Sequence, residues 1–394
     1  MSDNDIHLFA RSIHGIEWIA AAELEKSFDA DVTSIRHREI RFHTSGLDRS
    51  LLSAGSVDDI FAICKIIKQI DHSRASLSTL ASAKIDCSQA ITLLRNIREL
   101  PKRPSFNAIG SFLGRRNYNR YEIEDAVGEA VKAQTGWVYN AQRDAPSAIS
   151  DISFRIHLSG DEAIIGVRLS DSPLHRRPYK LDSRTGTLHP PLAYAMALLS
   201  SLGDQQVVLD PFCGVGTIPI ESLRVGSQIH SWGLDIDPEI IHKAALNSQA
   251  AKADVKFILG DAGQIPFAAG TINRIISNPP WGRVVGPQGK LAAGMVPFFR
   301  EISRVLHPQG RTVLLVDSAR DQLESIQRCR LRVLLNLPVS LFGGWVDICL
   351  ITHASNHVFP LFDLSSPFGP QLMKYWEQWP LIQDKISSRP ATVR

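Results

Sequence analysis

Short apolar runs alternate with helix-like segments throughout the C-terminal half of the chain. After a predicted helix over 191–202, buried strands are predicted at 207–210, in a run ending at 235, at 255–259, 271–277 and 312–316, and in a final hairpin of 331–337 with 346–352. Strands and helices that alternate in this order form a doubly wound, largely parallel sheet. Ligands bind such a sheet at the carboxyl ends of its strands. The pattern therefore predicts an α/β fold and the edge at which its site lies.

Acidic residues and glycines lie where the first three of these strands end. The first strand runs into Asp210-Pro211-Phe212-Cys213-Gly214-Val215-Gly216-Thr217. Glycines at a strand-to-helix turn let the backbone approach a ligand closely. The next two strands end at Asp235 and Asp261. An acid about 20 residues beyond such glycines can accept hydrogen bonds from ribose hydroxyls.

The identity of these residues favours one nucleoside cofactor over another. Pro219 stands where a nicotinamide-binding turn needs its third glycine. A carboxylate at Asp210 would repel a pyrophosphate, whereas it can pair with a cationic amino acid tail. A single strand-end aspartate is often only a helix cap. Three acids at successive strand ends, however, favour S-adenosylmethionine over NAD.

The fourth strand ends in Asn278-Pro279-Pro280-Trp281. Prolines donate no backbone hydrogen bond and push the preceding residue toward extended geometry. The chain therefore leaves the sheet stiffly, with the Asn278 amide held beside an indole. A rigid acceptor next to a flat aromatic surface suits a planar amine such as a nucleobase. The structural alternative is a Pro-Pro loop that carries a core tryptophan.

The N-terminal half combines a small α+β pattern with a basic segment. Residues 6–61 alternate between strand-like and helical patterns, in a β-α-β order that suits a ferredoxin-like sheet. Residues 101–121 contain no acid, and their basic residues are interleaved with four aromatic ones. Basic groups neutralise phosphates, and aromatic rings stack on bases. This segment is either an RNA-binding loop or a solvated loop whose aromatic residues belong to the core.

A predicted hairpin over 152–158 and 163–169 leads into a second basic cluster, Leu174-His175-Arg176-Arg177-Pro178-Tyr179-Lys180. The two clusters together supply the candidate RNA-binding residues Lys102, Arg103, Arg115, Arg116, Arg120, His175, Arg176, Arg177 and Lys180.

Length, charge and cysteine content bear on the number of domains, on nucleic-acid binding, on metal content and on the cellular compartment. A chain of 394 residues exceeds one ordinary core, which predicts two or three domains. Its net charge of +3 is too small to indicate nucleic acid, so that argument depends on where the charge lies. The five scattered cysteines have neither metal-ligand spacing nor a disulfide pattern. Because residues 1–5 also lack the pattern of a signal peptide, we expect a cytoplasmic protein without a structural zinc.

Both halves resemble known families. The order of basic loop, amphipathic helix, hairpin and Leu-His-Arg-Arg-Pro-Tyr resembles a THUMP domain, an RNA-binding module of enzymes that modify tRNA and rRNA. The motifs from Asp210 to Trp281 resemble those of class I S-adenosylmethionine-dependent methyltransferases. The resemblance divides the chain into a ferredoxin-like module (1–60), a THUMP domain (61–180), a linker (181–190), a methyltransferase domain (191–355) and a tail (356–394).

The combination of the two resembles the guanine-N2 RNA methyltransferases. It implies a Rossmann-like seven-stranded sheet with an antiparallel end, an RNA partner with tRNA favoured over rRNA, and no metal. The implied cofactor contacts are Asp210, Phe212, Gly214, Gly216, Thr217, Asp235, Ile236, Asp261, Ala262 and Asn278. The implied catalytic residues are Asn278, Pro279 and Trp281. Tyrosine is the usual residue in this group where the chain has Trp281.

Several alternatives stay open on the sequence. The same tetrapeptide serves enzymes that methylate an adenine amine or a protein glutamine amide. An RNA-binding protein with an inactive methyltransferase fold is a non-enzymatic alternative. The loop 283–290 is glycine-rich and basic, so it either closes over the substrate or is an ordinary mobile loop. The tail is expected to pack on the catalytic domain or to contact another chain.

Overall fold

One eight-stranded sheet organises the N-terminal half. The computed structural model describes residues 6–46, 48–144, 149–183, 186–281, 286, 288–341, 343–356 and 360–386. The elements of this half are β1 (Ile6–Arg11), α1 (Glu17–Phe28), β2 (Asp31–Arg36), β3 (Glu39–Thr44), β4 (Asp59–Lys68), α2 (Ala75–Ala81), α3 (Ser88–Ile97), β5 (Ser105–Phe112), α4 (Arg120–Thr135), β6 (Val138–Tyr139), β7 (Ile152–Ser159) and β8 (Glu162–Arg168). The strand order is β2-β3-β1-β4-β8-β7-β5-β6.

Strand β4 connects the two N-terminal modules that the sequence suggested. It pairs antiparallel with β1 on one side and with β8 on the other. The boundary expected after residue 60 therefore falls inside a strand, and both modules share one hydrogen-bonded sheet. The predicted hairpin is confirmed, because β7 and β8 pair antiparallel with Phe154 opposite Val167.

The C-terminal half has the predicted doubly wound sheet. Its elements are α5 (Pro190–Leu199), β9 (Val207–Asp210), α6 (Thr217–Val225), β10 (His230–Asp235), α7 (Pro238–Ala251), β11 (Val255–Leu259), β12 (Ile272–Ser277), α8 (Val296–Val305), β13 (Leu306–Val316), α9 (Ala319–Arg328), β14 (Leu331–Leu341) and β15 (Gly344–His353). The order is β11-β10-β9-β12-β13-β15-β14, and β15 runs antiparallel to both of its neighbours.

Strand starts and helix caps follow the sequence closely in this half. Strands β9 and β11 begin and end where the apolar runs do. Helix α7 begins at Pro238 with Asp237 as its N-cap, whose side chain accepts backbone hydrogen bonds from the first turn. Strand β13 begins earlier than predicted, at Leu306, because Pro308 and Gly310 break the apolar pattern without ending the strand.

The tail carries a helix that packs on the N-terminal half. Helix α10 (Gly369–Ile386) lies against α1, where Trp18 is fully buried. The Trp18 ring lies 5.5 Å from the ring of Trp376 and 6.4 Å from that of Trp379. Lys374 Nζ donates to Glu25 at 2.6 Å. The start of the tail contacts the catalytic half, where Arg311 donates to the carbonyl oxygens of Leu361 at 2.6 Å and Pro360 at 3.0 Å. The tail thus packs on the catalytic domain, which was one of the two expected possibilities, and its helix also packs on α1.

None of the helices in the described ranges has the length and apolar character needed to cross a bilayer. Half of the loop 283–290, which was expected either to close over the substrate or to be an ordinary mobile loop, lies outside the described residues.

Replacing the buried indole of Trp379 tests the packing of α10 on α1. Trp379 is 2% exposed, so Trp379→Ala should lower the free energy of unfolding by about 3–5 kcal/mol through lost burial and a cavity. Chemical denaturation measures this. Trp345→Ala is the matched control, because that indole is 47% exposed and its loss should cost less than about 1 kcal/mol. Equal effects of the two changes would contradict the packing.

Candidate active site

A cavity of about 430 Å³ lies at the carboxyl ends of the parallel strands. Its volume falls within the range of roughly 300–1,000 Å³ that is usual for small-molecule sites. The predicted residues that line it are Asp210, Phe212, Gly214, Thr217, Asp235, Ile236, Asp261, Ala262, Asn278, Pro279 and Trp281. Gly216 lies behind this wall. It begins α6 with φ +85°, and a Cβ there would meet Phe257 at 3.1 Å, so its role is close packing.

Asp210 lies at the bottom of the cavity and is only 2% exposed. Its Oδ1 accepts hydrogen bonds from Ser277 Oγ at 2.6 Å and from the Phe212 backbone N–H at 3.0 Å. Burial raises the pKa of Asp210 to about 7; the two hydrogen bonds oppose this shift, and the charge of Asp235 adds to it. Asp210 is therefore poised between its neutral and charged forms, and a cationic ligand group would favour the carboxylate.

Ser277 is a residue that the sequence analysis missed. It is fully buried on the last position of β12, directly before the tetrapeptide. Its hydroxyl joins the end of β12 to Asp210 on β9. A small polar residue directly after Ile275 and Ile276, at the end of the strand, was the available signal.

The other two strand-end acids are held by backbone amides. Asp235 accepts hydrogen bonds from the N–H groups of Gly214 at 3.0 Å and Asp237 at 3.1 Å. Asp261 accepts them from Gly263 at 2.7 Å and Lys290 at 2.8 Å. These contacts fix both carboxylates at the rim of the cavity. They also place the backbone of Lys290 next to Asp261, just beyond the end of β11.

The tetrapeptide presents Asn278 to the cavity and anchors Trp281. The Asn278 side-chain amide N–H lies 3.5 Å from the Gly186 carbonyl oxygen, and within the described ranges its side-chain oxygen has no partner. The Trp281 indole N–H donates to the Leu315 carbonyl oxygen at 2.8 Å. The indole is half-buried at the edge of the catalytic core and also lines the cavity. A hydrogen bond to β13 thus fixes the ring at the one position where the usual tyrosine is replaced.

The basic segment 101–121 divides into exposed and structural residues. Lys102, Arg103, Arg115 and Arg120 are exposed, whereas Phe106 and Tyr118 are buried. Arg116 donates to the carbonyl oxygens of Ile70, Asp71 and Gly160 and to the Tyr118 hydroxyl. Its guanidinium therefore holds the loop together, which leaves the exposed cations as the RNA-binding candidates of this segment.

Arg177 requires a correction, because its side chain is buried and fully engaged. It donates to both carboxylate oxygens of Glu221, at 3.0 and 3.3 Å, and to the carbonyl oxygens of Leu174 and Gly55, both at 2.6 Å. Glu221 also accepts from the Tyr179 hydroxyl at 2.6 Å. Arg177 thus joins the second basic cluster to α6 and cannot contact RNA, whereas its neighbour Arg176 is exposed. The sequence could not distinguish these adjacent arginines.

His175 and Lys180, from the same cluster, are half-buried. Burial lowers the pKa of Lys180, and the charge of Glu221 opposes this. The His175 ring is stacked on that of His189 at 5.0 Å. These two histidines and Asp58 bring ligand atoms within 4.8 Å of one another, a donor set that could hold a divalent cation. The other Asp58 oxygen lies 3.5 Å from Arg38, and the expectation that the protein uses no metal stays a prediction.

Known methyltransferases are similar to this chain in sequence and in fold. Residues 177–339 match the model of UPF0020, described as RMKL-like, methyltransferase domain. The structure resembles crystal structures of TrmN from Thermus thermophilus (TM-score 0.68, 23% identity, covering 88% of this chain and 99% of that one) and of a predicted N6-adenine-specific DNA methylase from Listeria monocytogenes (TM-score 0.64, 17% identity, covering 88% and 96%). The predicted class I methyltransferase fold is confirmed, and residues 177–339 are similar to RMKL-like methyltransferase domains.

Two curated relatives act on guanine N2. A tRNA (guanine(6)-N2)-methyltransferase of T. thermophilus is 32% identical over 223 residues, which cover 54% of this chain and 64% of that protein. The U6 snRNA (guanine-N(2))-methyltransferase THUMPD2 of Bos taurus is 27% identical over 233 residues, which cover 59% and 43%. The chain thus spans less than two thirds of the length of these relatives.

The buried role of Arg177 can be tested against its exposed neighbour. Arg177→Gln leaves Glu221 buried with one charge partner fewer, so it should lower the free energy of unfolding by about 3 kcal/mol. Arg176→Gln should leave stability almost unchanged. Denaturant titration of both variants measures the difference. If Arg177→Gln were as stable as the wild type, the ion pair would not hold the second basic cluster to α6.

The pKa of Asp210 predicts how stability depends on pH. Because folding raises this pKa from 3.8 to about 7, the folded protein holds the proton more tightly than the unfolded chain. The contribution of Asp210 to stability therefore falls as the pH rises between these two values. Asp210→Asn should raise the unfolding temperature at pH 8, and the gain should shrink at pH 5. Thermal scans at both values check this, and a gain independent of pH would contradict it.

Proposed function

We propose that this protein transfers a methyl group from S-adenosylmethionine to the exocyclic N2 amine of a guanosine in RNA, with tRNA as the favoured substrate. The observation that carries the proposal is the position of Asn278-Pro279-Pro280-Trp281, which lines the same cavity as the three strand-end acids. The names of the curated relatives support the choice of guanine N2. The alternative acceptors, an adenine amine or a protein glutamine amide, become outcomes of the test.

The residues that line the cavity fit S-adenosylmethionine. Asp210 suits the cationic end of the amino acid tail, because a positive charge there would offset the cost of a buried carboxylate. Asp235 suits the ribose hydroxyls, with Ile236 beside it as an exposed apolar contact. Asp261 and Ala262 suit the adenine side. When it is bound, the cofactor supplies an electrophilic methyl group on its sulfonium.

Asn278 and Pro279 prepare the amine for attack. The lone pair of the guanine N2 amine is delocalised into the ring, which makes it a poor nucleophile. If the Asn278 side-chain oxygen and the Pro279 carbonyl oxygen accept its two hydrogens, the nitrogen is biased toward a pyramidal geometry. Both acceptors also stabilise the positive charge that develops on it. No general base is assigned, since the proton can leave to water after transfer.

Trp281 offers the surface on which the base would stack. Reaching an amine in a paired stem requires the nucleotide to leave the helix and enter the pocket. The indole is already fixed by its hydrogen bond to Leu315. A base that stacks on it therefore causes little further loss of side-chain conformational entropy. A tyrosine at this position would offer a smaller ring without that indole N–H.

The N-terminal half supplies the contacts to RNA. We propose that residues 61–180 act as the THUMP domain and that the sheet it shares with 1–60 presents the RNA to the cavity. Lys102, Arg103, Arg115, Arg120 and Arg176 are exposed and suit phosphates. All five cysteines are free thiols, which supports the cytoplasm as the setting.

Nucleoside mass spectrometry tests the proposed reaction. Purified protein, S-adenosylmethionine and unmodified tRNA should yield N2-methylguanosine in the digested RNA. The appearance of N6-methyladenosine would move the acceptor to adenine. No methylation of tRNA, rRNA or U6 snRNA would favour an RNA-binding protein with an inactive fold.

The role of Asn278 predicts a separation of binding from catalysis. Asn278→Ala should lower kcat by at least about 100-fold, the scale seen when one group that stabilises developing charge is removed. Its affinity for S-adenosylmethionine should stay nearly unchanged. Transfer of a tritiated methyl group and calorimetric titration of the cofactor measure the two effects. Asn278→Asp keeps an acceptor oxygen and should retain more activity. An alanine variant with activity near the wild type would contradict the mechanism.

A further inference from the structure

The N-terminal sheet has two unlike faces. Side chains alternate across a strand, and one set, including Leu8, Phe106 and Phe154, joins the core that contains the helices. The other face carries a small separate apolar cluster of Phe9, Phe61 and Ile164. Around that cluster the face is rich in basic residues.

Two arginines on this second face, Arg168 and Arg41, are matched by acids. Arg168 Nε donates to Asp59 at 2.5 Å. Arg41 pairs with Glu39 at 2.7 Å and with Glu162 at 2.5 Å. Such pairs are the usual condition for burying a charge.

Arg11 on β1 and Arg155 on β7 depart from this rule. Arg11 is 7% exposed, and its guanidinium forms neither an ion pair nor a hydrogen bond with any residue in the described ranges. Arg155 donates to Ser111 Oγ at 3.0 Å, but its Nε is buried without a partner. His157, which is 2% exposed, bonds to the same hydroxyl through Nδ1 at 2.8 Å and leaves Nε2 buried without a partner.

The charges of these residues act on one another. Burial and then the charges of Arg155 and Arg38 lower the pKa of Arg11 to about 9, and the charges of Glu39 and Asp58 oppose this shift. Burial and then Arg168 and Arg38 lower the pKa of Arg155 to about 10, and Asp59 and Asp58 oppose it. Arg38 and His37 belong to the turn between β2 and β3. We refer to Arg11, Arg38, Arg155, His37 and His157 as the cationic cluster. Arg38 lies 3.5 Å from Asp58, whereas buried donors of Arg11 and Arg155 lack partners within the described ranges. Such unpaired buried donors indicate a missing anion.

A series of ring contacts leads from the cationic cluster to the cavity of the catalytic half. The His37 ring lies 4.0 Å from that of His14, which lies 5.4 Å from the ring of Trp345. Trp345 is 47% exposed at the start of β15, between Gly344 and Val346, both of which line the cavity. The two halves touch closely here. Gly15 has φ +107°, and a Cβ on it would lie 2.5 Å from the Pro338 carbonyl oxygen of β14.

We propose that the cationic cluster binds a backbone phosphate of the RNA strand next to the target guanosine, with Trp345 as the stacking surface for a base between that phosphate and the cavity. This inference rests on the proposed function for the identity of the strand. The anion itself is inferred from the unmatched arginines alone. Neither the cluster nor Trp345 lies in the basic segments that the sequence suggested for RNA.

Neutralising the unmatched arginines separates ligand binding from structure. Arg11→Gln and Arg155→Gln should each weaken binding of fluorescent tRNA about tenfold or more and should reduce the slope of log K against log salt. Their unfolding temperatures should be equal to or above that of the wild type, because each change removes a repelled, buried charge. Arg168→Gln is the control, and it should lower the unfolding temperature, because it leaves Asp59 without its cation. Unchanged tRNA affinity combined with lower stability would overturn the proposal.

Inorganic phosphate tests the site without reference to RNA or activity. In thermal scans, phosphate should stabilise the wild type more than chloride of equal ionic strength does, and Arg11→Gln combined with Arg155→Gln should abolish this gain. If phosphate stabilises only the wild type but tRNA affinity is unaffected by the double change, the cluster binds a free anion and the RNA assignment is overturned. If no RNA is methylated but tRNA binding still depends on the cluster, the proposed reaction fails and this inference stands.

Trp345 provides an independent arm of the test. Trp345→Ala should weaken tRNA binding roughly 5- to 150-fold, the range for loss of one stacked base, without lowering the unfolding temperature appreciably. Trp345→Phe should restore most of the affinity. If the alanine variant and the wild type bound tRNA with equal affinity, the indole would not contact the RNA.

Discussion

A buried carboxylate, Glu221, fixes the position of the two halves of the molecule relative to each other. It is fully buried in α6, and Arg177, Arg224 and the Tyr179 hydroxyl all donate to it. Arg177 reaches on to the Gly55 carbonyl oxygen, and Arg224 donates to that of Ser53 at 2.7 Å. A buried charge requires such partners, so the second basic cluster, α6 and the N-terminal segment at Ser53 and Gly55 meet at one point.

The sequence predicted the catalytic half well because its signals are local. Apolar runs bounded by aspartates and glycines mark strand ends, and in a parallel sheet those ends share one edge. The positions of Asp210, Asp235, Asp261 and Asn278 around one cavity follow from that rule. The early start of β13 escaped prediction, since Pro308 and Gly310 mimic a turn inside a strand.

The basic residues were harder to interpret, because charge in a sequence does not show whether a partner lies opposite. Arg176 and Arg177 are adjacent, yet one is exposed and the other is buried against Glu221. Arg11 and Arg155 come from strands that are far apart in the chain, and neither stands in a basic run. The alternation of Arg155 and His157 with buried apolar residues along β7 was the only local signal. Whether an arginine has an acidic partner depends on which side chains of the neighbouring strands lie beside it in the folded sheet.

The packing of α10 on α1 also governs the order in which the chain acquires its structure. Lys374 and Glu25, which form one of the contacts between the two helices, are 349 residues apart in sequence. Contacts between such distant segments form late, since the intervening chain must first close a large loop. During synthesis Trp18 emerges long before Trp376 and Trp379, and one side of it stays unburied for that interval. The N-terminal half is thus synthesised first, but its packing is complete only after α10 has bound to α1. Until then its exposed apolar surface can be bound by chaperones.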